Sequence, residues 1–222
     1  MRRIIDFLLS LIAILVITPF IIPIVIILKL TGEHYVFYYQ TRIGRNAKEF
    51  KIVKFSTMLL NSPNIGTGEI SLKSDPRVFP FGRLLRKTKI NEIPQLLNIL
   101  KGEMSIIGPR PLTPKHYSYY TVQQQEIIKQ LKPGLTGIGA IIFRDEEKIF
   151  DNSTLDHEQT YRQMLSPYKA ALEAWYFRNQ SMWIDIKLIF LTIWVIFFNK
   201  SQLPYKILNG LPKKPTELKM LI

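Results

Sequence analysis

From Phe7 to Leu28 the chain carries no charged residue. A run of that length can cross a hydrocarbon core, which takes about 20 residues. Arg2 and Arg3 precede it, and Lys29 closes it. The run is too long for the apolar region of a secretory leader, and no small-x-small cleavage site comes after it. Pro19 and Pro23 stand inside it. Proline removes a backbone donor and crowds the preceding turn, so a bend is expected at Thr18-Pro19. Two forms stay open: a kinked helix that spans, or a re-entrant helix-break-helix whose two ends emerge on the same face. Basic residues at both ends favour the second, because Lys- and Arg-rich flanks stay on the cytoplasmic side.

The remainder is basic as well. The 222-residue chain has a formal net charge of +13 and is 47% hydrophobic. An apolar, basic chain suits anionic partners: membrane phospholipid, nucleotide phosphate or nucleic acid. No nucleic-acid recognition motif accompanies the basic residues, so nucleic acid is not expected. The chain has no Cys, which excludes disulfides, Cys-based zinc sites and Cys nucleophiles. His34, His116 and His157 are scattered without metal-ligand spacing and read as ordinary surface or loop histidines.

Tyr35 to Tyr39 and Phe50 to Phe55 are β-prone runs separated by a turn at Gln40 to Asn46, so a hairpin is expected. Residues Asn61 to Pro80 are rich in Gly, Pro, Ser and Asn and read as a loop. Ile93, Leu96, Leu97 and Leu100 have the spacing of one helix face. Asn91 fits the N-cap of that helix, Pro94 its first turn and Gly102 its C-terminal cap. Asn91 and Glu92 then lie at the positive end of a short helix, a natural place to meet phosphate. Thr121 to Leu131 suggests a polar helix, and the region from Thr154 to Tyr176 looks helical. Trp183 to Phe198 is apolar apart from Asp185 and Lys187. It is short for a span and suits either an interfacial helix or a buried core helix.

Basic residues gather around the candidate helix: Lys54, Arg77, Arg83, Arg86, Lys87, Lys89 and Arg110. Prolines on both sides stiffen the loop that carries Arg110. Guanidinium forks suit diphosphate oxygens. Among the few carboxylates, Glu92 and Glu103 stand out. A carboxylate amid such cations should be ionised and could hold Mg²⁺ together with a substrate phosphate. The plain alternatives are a membrane-surface patch for the cations, a first-turn glutamate for Glu92 and a helix cap for Asn91.

Taken together these residues resemble the bacterial sugar transferase family, the monotopic phosphoglycosyl transferases that act on polyprenyl phosphate. The resemblance runs through Thr18-Pro19, Gln40 to Gly44, Phe50 to Met58 and Ser74-Asp75-Pro76-Arg77. It is densest from Leu84 to Pro111, with Asn91-Glu92-Ile93-Pro94-Gln95-Leu96 and Leu100 to Pro111. It ends with Pro133-Gly134-Leu135-Thr136-Gly137 and Asp185-Ile186-Lys187. It implies transfer of a sugar phosphate from a UDP-sugar to polyprenyl (undecaprenyl) phosphate, releasing UMP and initiating glycan assembly. It implies Mg²⁺ as cofactor, with Glu92 as catalytic or metal-holding carboxylate. It places Lys54, Arg77, Arg86, Arg110 and Arg144 on the substrate, and Thr18-Pro19 at the membrane break. The expected location is the bacterial inner membrane, monotopic, with the catalytic domain facing the cytoplasm. Anionic lipid is an expected partner, and self-association stays open.

The implied fold is α+β and mainly helical. A re-entrant membrane helix occupies residues 1–30, and a small cytoplasmic domain with interfacial amphipathic helices occupies 31–203. A loosely ordered tail completes the chain over 204–222. Three positions depart from the family pattern. Asn91 stands where an Asp nucleophile is usual, Ser56 where a basic residue is usual, and Ala140 where a glutamine is usual. A neutral amide is a poor nucleophile. Glu92 could replace it, the lipid phosphate could attack directly, the chain could be a non-catalytic relative that holds substrate or a partner enzyme, or Asn91 could be an engineered change.

Overall fold

A computed structural model describes residues 2–68, 70, 75–144, 146–153, 155–198, 201–216 and 218. Ser74 of the Ser-Asp-Pro-Arg run and Thr154 at the head of an expected helix lie outside the described residues. The chain forms two compact units: residues 1–41 with 50–104, and residues 42–49 with 105–222.

The first unit begins with α1 (Arg2–Leu30), a single helix with Pro19 and Pro23 inside it. Their missing N–H groups deprive the carbonyls of Leu15 and Pro19 of the usual partner four residues on. Thr18 Oγ1 donates to the Ile14 carbonyl at 2.7 Å, one turn back. The distribution of side chains is inside-out for a helix in water. Leu15 and Phe20 are 66% and 69% exposed, whereas Asp6 and Ser10 are buried. The far end of α1 joins an apolar core. Leu28 packs with Val36, Phe55 and Leu85, and Ile21, Ile24 and Val25 lie against them.

A hairpin is present, as expected, with β1 (Phe37–Ile43) paired with β2 (Glu49–Phe55), but β1 runs on through Gln40–Ile43, which were expected in the turn. The chain turns between them with Asn46 and Ala47 at positive φ. The loop beyond β2 leads to α2 (Pro80–Lys87). Gly82 there must be glycine, because a Cβ would lie 2.3 Å from the Thr57 carbonyl oxygen.

The next helix differs from the sequence expectation. It opens as a 3₁₀ turn over Ile90–Gln95, whose N-cap is Lys89, and only then becomes α3 (Leu96–Lys101). Asn91 is therefore not the cap. It lies one residue inside the turn, buried. A 3₁₀ turn advances by three residues rather than 3.6, which shifts the phase of the helix it opens. The buried face becomes Gln95, Leu96, Asn98 and Ile99, and Leu97 is exposed. Gly102 ends α3 in the left-handed region at φ 87, as expected of a C-terminal cap.

In the second unit β3 (Ser105–Ile107) pairs in parallel with β4 (Gly134–Thr136). Between them lie α4 (Pro114–Tyr117) and α5 (Val122–Ile128), the latter opened by a capping box from Thr121 and Gln124. The strands approach unusually closely. A Cβ on Gly134 would stand 2.1 Å from Gly108 N, and one on Gly137 would stand 2.1 Å from Gly108 O. The glycines of the Gly-Pro-Arg-Pro and Pro-Gly-Leu-Thr-Gly runs are thus partners in one backbone contact.

After β4 come α6 (Ile138–Ile142), α7 (Glu146–Asn152) and α8 (His157–Gln159), then a π-helical turn over Thr160–Leu165. It leads into α9 (Ser166–Asn179), which packs on α5 and α6. α10 (Met182–Phe197) is one-sided: Leu188, Leu191 and Val195 are buried, whereas Trp183, Phe190, Ile193 and Phe197 are exposed. The segment after it, expected to be a loose tail from its prolines and lysines, carries α11 (Leu203–Ile207). Tyr168 OH donates to the Pro212 carbonyl and Trp175 Nε1 to the Asn209 carbonyl, so aromatic side chains of α9 hold this segment.

Candidate active site

The first unit brings Lys54 and Glu92 together. Lys54 lies in β2 and Glu92 in the 3₁₀ turn before α3, with Lys54 Nζ 3.7 Å from Glu92 Oε1. Both side chains are largely shielded, at 16% and 14% exposure. An ion pair in such surroundings is screened less than a surface pair. Beside it Asn91 is 6% exposed, and its Oδ1 has no hydrogen-bond partner among the described residues. A buried acceptor left unmade is costly. Lys89, which starts the turn, sits at φ 60, a region that a residue with a side chain rarely adopts. The chain thus holds a strained start and an unmade acceptor two positions apart, a combination found at functional sites more than elsewhere.

Asn98 holds this arrangement and was not foreseen from the sequence. It is fully buried. Its Oδ1 accepts from Val53 N at 3.0 Å, and its Nδ2 donates to the Lys51 carbonyl at 2.8 Å. The side-chain amide therefore mimics a neighbouring strand along β2 on either side of Ile52. Nδ2 also donates to Glu103 Oε2 at 2.7 Å, which gives Glu103 a structural partner. Two residues beyond Ile52 stands Lys54, so the latch sets the register of Lys54 against Glu92. A buried-face asparagine was the available signal, hidden because the 3₁₀ turn moves that face.

Arg77 has a different role from the substrate contact expected of it. It is 5% exposed. Nε donates to Asp75 Oδ1 at 2.8 Å and Nη2 to Asp75 Oδ2 at 2.5 Å. Nη1 donates to the carbonyls of Ser62, Ile65 and Gly68, and Nη2 also to Ile70 O and Thr67 Oγ1. A guanidinium has five N–H donors, and the loop around Arg77 occupies all of them. Arg77 is the post around which residues 62–68 and Ile70 are gathered.

The other candidates divide between the units. Arg86 is half-buried in α2, with Nη1 3.3 Å from Met58 Sδ. Arg83, Lys87 and Lys89 are exposed in the same unit. Arg110 and Arg144 belong to the second unit. Arg110 is exposed beside a small groove lined by Gly44, Pro109, Tyr117 and Pro133, and Arg144 is half-buried. Thr18 and Pro19 are exposed on α1. Ser56 is buried. Ala140 is half-buried in α6.

The second unit has its own buried polar cluster. Lys169 Nζ pairs with Glu146 Oε1 at 2.7 Å and lies over the rings of Tyr161 and Phe143. His116 stacks on Tyr161 with centroids 4.0 Å apart, so it is a packed side chain rather than a surface one. Burial, and then the charges of Lys169, Arg42 and Lys115, push its pKa down to about 3. Burial pushes Glu173 up to about 8, and its Oε2 has no hydrogen-bond partner among the described residues.

As for a metal, no group of three or more His, Asp or Glu side chains forms among the described residues. Glu92 is one carboxylate. That suits Mg²⁺ only in the form in which the ion keeps most of its ligands from water and substrate phosphate.

Comparison with known proteins bears on the family of the chain. Residues 1–199 match the sequence model of the family described as bacterial sugar transferase. The UDP-glucose:undecaprenyl-phosphate glucose-1-phosphate transferase of Escherichia coli is 33% identical over 204 residues, covering 90% of this chain and 41% of that protein. The undecaprenyl-phosphate galactose phosphotransferase of Salmonella typhimurium is 30% identical over 173 residues, 72% of this chain and 33% of that protein. The exopolysaccharide production protein ExoY of Sinorhizobium fredii is 30% identical over 215 residues, 90% of this chain and 87% of that protein. The chain therefore spans about two fifths or less of the first two relatives. The match over residues 1–199 includes α1, the Asn91–Glu92 turn and the interlocked glycines, and the chain belongs to the bacterial sugar transferase family.

Proposed function

We propose that this chain transfers a sugar phosphate from a UDP-sugar to polyprenyl phosphate at the cytoplasmic face of the membrane. The relatives' names supply the reaction class. In such a transfer an oxygen of the lipid phosphate bonds to the β-phosphorus of the UDP-sugar. The bond from that phosphorus to the bridging oxygen breaks, and UMP leaves with the electron pair. The observation that carries the reading is the shielded Lys54–Glu92 pair beside Asn91. Lys54 offers charge to a diphosphate oxygen, and Glu92 is the carboxylate able to face the substrate. When bound with the diphosphate, Mg²⁺ would neutralise charge developing on the phosphate oxygens, and Glu92 would hold it. Asn91 cannot serve as a carboxylate nucleophile.

The membrane part of the proposal rests on α1. Its exposed apolar surface and buried Asp6 and Ser10 suit a hydrocarbon surrounding. Its length and hydropathy suffice to cross a membrane. The helix is continuous through Thr18-Pro19; our reading is that α1 bends there into a re-entrant hairpin, with Arg2, Arg3 and Lys29 on the cytoplasmic side. The exposed face of α10, with Trp183 at its start, would lie in the interface.

UMP release from a panel of UDP-sugars, with Mg²⁺ and polyprenyl phosphate, tests the reading. Glu92→Gln should lower it by at least about 100-fold, the usual scale for loss of a charged group acting on the reacting phosphate. Turnover that survives Glu92→Gln would exclude Glu92 from both nucleophilic and metal-holding roles. A second reading, that the chain holds UDP-sugar or lipid phosphate without turnover, is favoured by the neutral Asn91. It predicts binding of UDP-sugar that Glu92→Gln leaves unchanged.

A further inference from the structure

α1 carries one polar face on an otherwise apolar helix. Arg3, Asp6 and Ser10 stand at the i, i+3, i+7 spacing of a single face. α1 runs beside α3, and Arg3 reaches the end of it. Nη1 donates to the carbonyl of Ile99 and Nη2 to the carbonyl of Leu100. α3 ends at Lys101, so both carbonyls lie in its last turn, where that of Ile99 also accepts from the Gly102 N–H of the cap. A cation at this point also meets the negative end of the aligned peptide dipoles. Gly102 makes room for the fork: a Cβ there would lie 3.3 Å from Arg3 Cζ. Arg3 Cζ lies 5.8 Å from the Phe7 ring centroid, one turn along α1.

α3 spans only Leu96–Lys101 and continues from the turn that carries Asn91 and Glu92. A helix this short does not hold its own position, because nucleation is costly and few bonds repay it. Its neighbours hold it. One is β2, through Asn98. The other is α1, through Arg3.

We propose that Arg3 is a positioning residue of the candidate active site. It clamps the far end of the Asn91–Glu92 helix to the membrane segment, so that the seating of α1 in the bilayer sets where Glu92 stands. The proposal rests on the membrane-transferase reading above. A rival role for Arg3 is that of a cytoplasmic charge anchor for α1. That role needs only a positive charge, whereas the clamp needs a planar fork that reaches two carbonyls at once. Arg3→Lys keeps the charge and loses the fork. Arg3→Gln loses both.

The test uses the full chain in phospholipid nanodiscs, with two readouts. The first is amide exchange at Gly102, Glu103 and Met104, whose N–H groups bond to the carbonyls of Ile99 and Asn98. In Arg3→Gln this exchange should rise about fivefold, the scale of a lost charge interaction at a helix end. Arg3→Lys should fall between the two, and exchange in β4 should not change. The second readout is UMP release, where misplacing Glu92 should lower kcat several-fold in Arg3→Gln with little change in KM, and Arg3→Lys should restore it only in part. Exchange at 102–104 equal to that of the parent chain in Arg3→Gln would overturn the clamp. Full restoration of both readouts by Arg3→Lys would overturn it as well, leaving charge alone. If no form releases UMP from any UDP-sugar, the transferase reading fails, and the exchange readout still decides the clamp.

Discussion

Single residues show where recognition of a motif and its physics part. Arg77 belongs to a family motif and was expected on substrate, yet its donors are consumed by Asp75 and by residues 62–68 and Ile70. Arg77→Lys keeps the charge but cannot satisfy those acceptors, and it weakens the pairing of a buried Asp75. It should cost about 3–5 kcal/mol of unfolding free energy, the scale for breaking a buried pair. Denaturant unfolding measures it, and a loss under about 1 kcal/mol, the scale of a surface pair, would return Arg77 to the substrate. Glu173 is a second buried group with a legible consequence. Its folded pKa, raised to about 8, exceeds its ordinary value of 4.5, so the folded state binds the extra proton between those values. The stability this contributes is fully present below about pH 4.5 and is lost as pH rises through about 8. Melting temperature should therefore fall across that window, and Glu173→Gln should flatten the fall. A parallel slope in the two proteins would place the titrating group elsewhere.

At the scale of elements, the hairpin, the polar helix α5 and the glycine after α3 were legible, because each has a local cause. Alternating β-prone residues make the strands, Thr121 and Gln124 make the capping box, and Gly102 accepts a left-handed turn. The helix around Asn91 was legible in existence but not in phase. Spacing alone does not reveal that Ile90–Gln95 winds as a 3₁₀ turn, and that winding buries Asn91 and turns Asn98 toward β2. The reason for the glycine-rich motifs was also hidden. Gly108, Gly134 and Gly137 are set by a backbone approach between segments distant in the chain, which no local pattern encodes. Because Asn98 joins two elements, its loss should be felt in both. Asn98→Ala should destabilise the chain by about 2 kcal/mol, from unmade buried bonds at Lys51 and Val53, and it should lower any UMP release along with stability. Unchanged stability would show that β2 and α3 keep their register without the latch.

At the scale of the whole molecule, an inside-out helix adjoins the helix that continues the Asn91–Glu92 turn within the first unit. α1 exposes Leu15 and Phe20 and buries Asp6 and Ser10, the reverse of what water selects. It lies beside the helix that extends the Asn91–Glu92 turn. The family membership is common to these features, and Asn91, buried with an unmade acceptor, stands where the resemblance leads one to expect an Asp nucleophile. We propose that the first unit holds a phosphoglycosyl transferase site in which Asn91, more than Ser56 or Ala140, separates the chain from the covalent route. UMP release by the chain and by its Asn91→Asp form, assayed in parallel with Mg²⁺, polyprenyl phosphate and a panel of UDP-sugars, tests that claim directly. Asn91→Asp should release UMP faster, by about 100-fold or more if a covalent route is restored. No release by either form with any UDP-sugar would contradict the claim.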